Sequence, residues 1–188
     1  MGAGDRAAML NSQGKRACKM TIRRKSFLTW ALGMTVMMGL LNSCDETRHY
    51  EENHEFIARS WVVSEEPAFD FFIPDSIRYY SIYYNVRNSL DYPFARIFVT
   101  YHMFDSTGVE VSKKLTYNDL FDQKTGQPFG ESGLGDLYDH QFPLLKHYRF
   151  NFPGRYSIKL DQFTRMDTLK GVIAVGIRVE QDQPSDLR

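Results

Sequence analysis

One cysteine lies where its thiol could be chemically modified. Cys44 closes the segment Leu41-Asn42-Ser43-Cys44, which has an aliphatic residue three places before the cysteine and a small residue directly before it. This is the pattern of a lipobox, in which the cysteine thiol takes up a diacylglyceryl group as a thioether. The small Ser43 fits the narrow peptidase subsite beside the cleaved bond, and Leu41 occupies an apolar channel. We predict that the mature chain begins at Cys44 with a lipid on its sulfur.

A second cluster of residues could do acid–base chemistry. Asp136, Asp139 and His140 lie close together at the end of a glycine-rich stretch. Two carboxylates and an imidazole within reach of one another could transfer protons in a hydrolase. An aspartate that follows a glycine more often bonds nearby backbone N–H groups in a turn. We favour this structural interpretation and keep hydrolysis as the alternative.

Two histidines could contribute to a metal site. His49 and His54 lie beside Glu51 and Glu52, but their spacing matches no standard ligand motif. The sequence also has no G-x-S-x-G, no H-E-x-x-H and no P-loop. We therefore expect no metal, no cofactor and no enzymatic activity.

The residues before Cys44 have the features of an export signal. Arg23, Arg24 and Lys25 precede an uncharged stretch over residues 26–41, which is shorter than the roughly 20 residues that a membrane span needs. We predict a cleaved lipoprotein signal peptide over residues 1–43, with translation starting at Met20. The arginine pair also fits a twin-arginine signal, but Phe27 lies one place late for that pattern.

The formal net charge of zero combines two different regions. Residues 1–43 hold seven basic residues and one acid, which leaves 16 basic and 22 acidic residues after Cys44, or about −6. An acidic mature domain argues against nucleic-acid binding. Cys18 lies in the predicted leader, so the mature chain would keep Cys44 alone and could form no internal disulfide.

Apolar and polar residues alternate through most of the chain beyond residue 54. The clearest apolar stripe consists of Ile173, Val175, Ile177 and Val179, which we expect to face inward. Similar stripes recur between Gly and Pro turns, and no helical period extends over three turns. We predict an all-β domain over residues 54–188, an antiparallel β-sandwich of about seven or eight strands, after a polar tether over residues 44–53.

Tyrosines on the opposite side of one predicted strand could take part in binding. Tyr79 and Tyr83 alternate with an apolar stripe over residues 80–86. Such side chains could contact a carbohydrate or a partner protein. The simpler alternative, which we favour, is that they are half-exposed residues on the outside of the sandwich.

One predicted loop, over residues 118–138, is long for a compact sandwich. Its glycines make it costly in entropy to order, so packing on the sheet or a bound partner must offset that cost. The segment from Gly126 through His140 is our candidate for partner docking, with the alternative that its residues only hold the loop on the sheet. The candidate docking residues are Leu134, Asp136, Leu137, Tyr138 and Asp139.

Several segments are arranged as in a known family. They are the lipobox and residues 50–53, 84–88, 92–93, 133–139 and 171–180. Over nearly all of its mature part, the chain resembles the gliding motility lipoprotein GldH family of the Bacteroidota. The most specific segments are Gly-Leu-Gly-Asp-Leu-Tyr-Asp at 133–139 and the closing Gly-Ile-Arg-Val-Glu at 176–180. Residues 162–165 lack the methionine that family members often carry there.

The resemblance implies a small lipoprotein of the cell envelope that is associated with gliding and with the secretion apparatus of that phylum. The expected role is that of an accessory or assembly component, anchored by its lipid in the outer membrane, on the periplasmic face. Its expected partners are the membrane and other envelope proteins. The resemblance carries over no catalytic residue. The alternative is a lipoprotein that binds a glycan or a small molecule, or a hydrolase that uses Asp136, Asp139 and His140.

Overall fold

Eleven strands follow one another along residues 47–133 and 135–183, which a computed structural model describes, and no helix interrupts them. These residues belong to one unit, Asp45–Arg188. The lipobox and Leu134 lie outside the described residues. In chain order the strands are β1 (Arg48–Glu55), β2 (Ser60–Val62), β3 (Ala68–Ile73), β4 (Tyr80–Ser89), β5 (Arg96–Phe104), β6 (Glu110–Asp119), β7 (Glu131–Ser132), β8 (Leu137–Tyr148), β9 (Gly154–Gln162), β10 (Thr168–Lys170) and β11 (Val172–Gln181).

The strands form two main antiparallel sheets. The five-stranded sheet has the order β1-β11-β4-β8-β7, and the four-stranded sheet has the order β3-β9-β5-β6. Strands β10 and β2 form a small separate pair. Eight strands have six or more residues, so the predicted all-β sandwich is confirmed. The described part of the chain includes no helix long and apolar enough to cross a membrane.

The core lies between the inner faces of the two sheets. Alternation along each strand places one row of apolar side chains inside and one row of polar side chains outside. The hydroxyl of Tyr84 on β4 donates to Asn118 Oδ1 on β6 at 2.6 Å, which links the two sheets. The buried rows are Tyr80, Ile82, Tyr84 and Val86 on β4, Ile97, Val99, Tyr101 and Met103 on β5, Tyr156, Ile158 and Leu160 on β9, and Val175, Ile177 and Val179 on β11.

Strand β11 is central in its sheet, between β1 and β4. Its predicted inward row is correct at Val175, Ile177 and Val179, which are fully buried. It is wrong at Ile173, because the pairing with β4 shifts register between Val172 and Ala174. This irregularity breaks the alternation, so Val172 enters the core and Ile173 stays partly exposed.

Strand β1 occupies most of the segment predicted as a tether. It pairs antiparallel with β11, from Arg48 opposite Glu180 to Glu55 opposite Ala174. Most of its side chains are exposed, since it forms an edge of the sheet. A strand that buries almost nothing shows no apolar alternation in its sequence. The sheet therefore begins at Arg48, within the segment predicted as a tether.

Candidate functional site

The first half of the long loop is held by hydrogen bonds and by core contacts. The Asp122 carboxylate accepts hydrogen bonds from the backbone N–H groups of Lys124 and Thr125, both at 2.8 Å. Leu120 and Phe121 are buried in the core. These contacts offset part of the entropy cost of ordering the loop. They agree with the alternative that the loop residues serve to hold the loop on the sheet.

The second half of the loop is a short hairpin between β7 and β8. The Gly133 N–H donates to the Leu137 carbonyl at 2.9 Å, and Ser132 pairs with Tyr138. Gly135 has a φ of 76°, a conformation that favours glycine. The hairpin places Leu137 and Tyr138, both half-buried, at the start of β8, beside the edge strand β7 of the five-stranded sheet.

The three candidate acid–base residues do not form one site. Asp136 lies in the turn, with its Oδ2 3.6 Å from Arg59 Nη2. The Asp139 carboxylate accepts two hydrogen bonds from Arg87, at 2.7 and 3.1 Å. The His140 ring instead stacks on another ring, that of Phe142. Each carboxylate is thus paired with an arginine, and the geometry offers no proton relay between the three.

His140 is a buried packing residue rather than an exposed base. Its Nε2 has no hydrogen-bond partner among the described residues. Gly130 covers it closely, since a β-carbon there would lie 2.6 Å from Nε2. Burial lowers the pKa of the His140 imidazole, and the nearby Asp139 carboxylate opposes this shift. The imidazole is therefore neutral near pH 7, because burial disfavours its charged form.

The outer face of the five-stranded sheet carries a polar trough with a volume of about 710 Å³. Strands β1, β4, β7, β8 and β11 contribute to its lining, and the loop residues Phe129 and Gly130 add to it. Sequence analysis named Asp139 and His140 as possible acid–base residues, placed residues 129–131 in the candidate docking segment and named Glu51 beside a possible metal site, but it did not bring these residues together. The other polar residues belong to strands distant in sequence, so nothing in a linear pattern brings them together.

A row of amide side chains crosses the trough. Asn53 on β1 faces Gly176 on β11, which faces Asn85 on β4, which in turn faces Gln141 on β8. The Asn85 amide donates to Asn53 Oδ1 at 3.5 Å, and the Gln141 amide donates to Asn85 Oδ1 at 3.4 Å. The row depends on Gly176, because a β-carbon there would overlap the Asn53 side chain and lie 2.5 Å from the Glu52 carbonyl oxygen.

Ion pairs hold both flanks of the amide row. On one side Arg87 forms an ion pair with Asp139. On the other side Glu51 lies 3.3 Å from Arg178 and accepts a 3.0 Å hydrogen bond from the Asn85 amide. The two ion pairs hold the amide side chains between them in place. Side chains held in this way form a preorganised polar surface, which favours binding.

The remaining sequence candidates lie apart from the trough. His49 Nε2 contacts the Phe72 carbonyl oxygen at 2.6 Å, and His54 Nε2 lies 2.8 Å from Glu65. No group of three metal-ligating side chains occurs within residues 47–133 and 135–183. Tyr79 is partly exposed and Tyr83 half-buried, which agrees with the structural interpretation of this pair.

Comparisons with known proteins match most of the sequence. A family model described as "GldH lipoprotein" matches residues 48–179. The chain is 26% identical over 165 residues to a "Gliding motility lipoprotein GldH homolog" of Christiangramia forsetii, covering 84% of this chain and 98% of that protein. It is 25% identical over 152 residues to "Gliding motility lipoprotein GldH" of Flavobacterium johnsoniae, covering 76% of this chain and 90% of that protein.

Similarity to solved structures is low. A structure of the infectious bursal disease virus Gx strain aligns with 12% sequence identity and a TM-score of 0.33. The alignment covers 75% of this chain and 31% of the viral chain. A match at this level implies no shared function.

Proposed function

The chain belongs to the GldH lipoprotein family, and from this we propose that it is a non-enzymatic accessory or assembly component of envelope machinery linked to gliding. The family consists of cell-envelope lipoproteins associated with gliding motility. Within that setting, the role we assign is to bind another envelope protein.

The proposed anchor is a lipid on Cys44. The lipobox Leu41-Asn42-Ser43-Cys44, the basic region before it and the uncharged stretch over residues 26–41 all support this assignment. We place the lipid in the outer membrane and the sheet domain on its periplasmic side. The acidic mature domain suits protein partners better than nucleic acid.

The observation that carries the non-enzymatic role is the separation of the three candidate catalytic side chains. Asp136 pairs with Arg59, Asp139 pairs with Arg87, and His140 is buried beneath Gly130. A general base needs to reach both its orienting group and a substrate proton. These three residues offer no such chain of contacts, so the hydrolase alternative loses its support.

We assign partner docking to the hairpin end of the long loop. Asp136 is exposed, whereas Leu137, Tyr138 and Asp139 are half-buried, and β7 and β4 hold β8 in place on either side. An apolar centre, here Leu137 and Tyr138, with a polar rim is typical of protein interfaces. Leu134 belongs to the same proposed surface and lies outside the described residues.

The double variant Asp136→Asn with Asp139→Asn tests this docking role. Both carboxylates make partly exposed ion pairs, and such pairs contribute about 0.2–1 kcal/mol each. We expect the melting temperature to fall by only a few degrees, while capture of envelope proteins from a detergent extract is lost. Thermal melts and quantitative mass spectrometry of the captured proteins give the two measurements.

A matched control is available on the other sheet. Asp119 pairs with Arg96 at 2.7 and 3.1 Å, the same geometry that Asp139 has with Arg87. Asp119→Asn should therefore cost similar stability and leave capture intact. Earlier unfolding of the double variant with unchanged capture would instead identify the carboxylates as structural groups. Unchanged melting together with unchanged capture would contradict both roles.

A further inference from the structure

We propose that the polar trough on the outer face of the five-stranded sheet binds a neutral glycan. This site goes beyond the docking function: it is centred on Asn53, Asn85 and Gln141, and it shares Asp139 with the docking residues. Its lining comes from five strands and from loop residues 129–130.

The side chains in the trough suit sugar hydroxyls. A hydroxyl both donates and accepts hydrogen bonds, and an amide offers both functions in one plane. Asn53, Asn85 and Gln141 align three amides across the sheet. Their hydrogen bonds to one another are long, at 3.4 and 3.5 Å. Sugar hydroxyls can therefore compete for the Asn53 and Gln141 amides at little cost, whereas the Asn85 amide also donates to Glu51 at 3.0 Å.

The trough has an apolar side as well as polar groups. Ala174 of β11 lines it between Glu55 of β1 and Arg87 of β4, whereas the Asn53 side chain covers Gly176. Phe129 stands at the rim, with 60% of its surface exposed. An aromatic ring at the edge of a polar groove provides an apolar face against which the C–H side of a sugar can pack.

Charge decides against an acidic ligand. The lining contains four carboxylates, on Glu51, Glu55, Glu131 and Asp139, against one guanidinium, on Arg87. The Arg87 guanidinium already pairs with Asp139, and Glu51 pairs with Arg178 beyond the lining, so the excess negative charge comes from Glu55 and Glu131. Uronic acids, phosphates and sulfated sugars would be repelled by the excess negative charge. The site therefore favours glycans made of neutral hexoses or N-acetylhexosamines.

A peptide fits the trough less well than a glycan. Peptides that add to a sheet use a free strand edge, and their side chains occupy apolar pockets. The trough lies on a sheet face, where the backbone groups of β11 and β4 already bond to neighbouring strands. Nine of its fourteen lining residues are polar or charged, so it offers the side chains of a peptide few apolar contacts.

The test uses the full chain in detergent on an array of oligosaccharides. The array carries neutral hexose and N-acetylhexosamine oligosaccharides beside polyuronic and sulfated ones. We expect binding to neutral glycans and none to acidic ones. Phe129→Ala and Gln141→Ala, both at exposed positions, should each weaken that binding by about tenfold, equivalent to about 1.4 kcal/mol. Neither change touches the docking carboxylates, so failure of one proposal is distinguishable from failure of the other.

Phe163→Ala is the matched control, because Phe163 is 61% exposed and lies beside Phe98 of the other sheet. It should leave glycan binding unchanged within about twofold, a difference under about 0.5 kcal/mol. Absence of binding to every neutral glycan would overturn the proposal. So would a preference for acidic glycans, or equal weakening by all three variants. Loss of envelope-protein capture by the trough variants without any glycan binding would identify a protein site instead.

Discussion

Replacing Cys44 by alanine should abolish lipid attachment completely. The thiol of Cys44 is the atom that would form the thioether, and alanine has no group that can replace it. Because the lipoprotein peptidase acts after lipid transfer, the precursor should also stay uncleaved. Metabolic labelling with a palmitate analogue and the mass of the recovered chain measure the two effects.

Cys18 provides the control for the labelling experiment. It is the second cysteine of the sequence and lies ahead of the predicted cleavage site, so Cys18→Ala should leave labelling and cleavage unchanged. Normal labelling of the Cys44→Ala protein would show that the lipid is attached elsewhere. The proposed anchor would then be wrong.

Replacing Ile177 by alanine should lower the free energy of unfolding by roughly 2–5 kcal/mol. Ile177 is fully buried on β11, between β1 and β4. Its removal leaves a cavity that the neighbouring strands cannot easily fill, because each is fixed by hydrogen bonds to the next. Denaturant unfolding of the wild type and the variant measures the difference.

An exposed isoleucine gives the comparison that this stability measurement needs. Ile77 is 80% exposed, and Ile77→Ala should change the free energy of unfolding by less than about 0.5 kcal/mol. A similarly small change for Ile177→Ala would mean that the inner face of β11 does not contribute to the core. The assignment of the buried row would then fail.

Strands with one buried face could be predicted from the sequence, because burial leaves a period of two. This is why the alternation at β4, β5 and β11 identified the sandwich. Short or irregular elements could not be predicted in this way, because they show no period of two. Ile57 is fully exposed in the turn after β1, whereas its neighbour Phe56 is buried, so burial there follows no period of two.

The trough could not have been predicted from one strand at a time. It depends on the register that sets Asn53, Gly176, Asn85 and Gln141 side by side. These residues come from widely separated parts of the chain, and each is an ordinary outward-facing residue in its own strand. Gly176 alone gave a local signal, since glycine within a strand indicates a close approach of other groups.

Photocross-linking in intact cells tests the docking role most directly. A photoreactive phenylalanine analogue replaces Tyr138 in the docking hairpin, and the same analogue replaces Tyr117, which is 58% exposed on β6 of the other sheet. The proposed function predicts a discrete adduct with an envelope protein from position 138 and none from position 117. No adduct from position 138, or the same adducts from both positions, would contradict it.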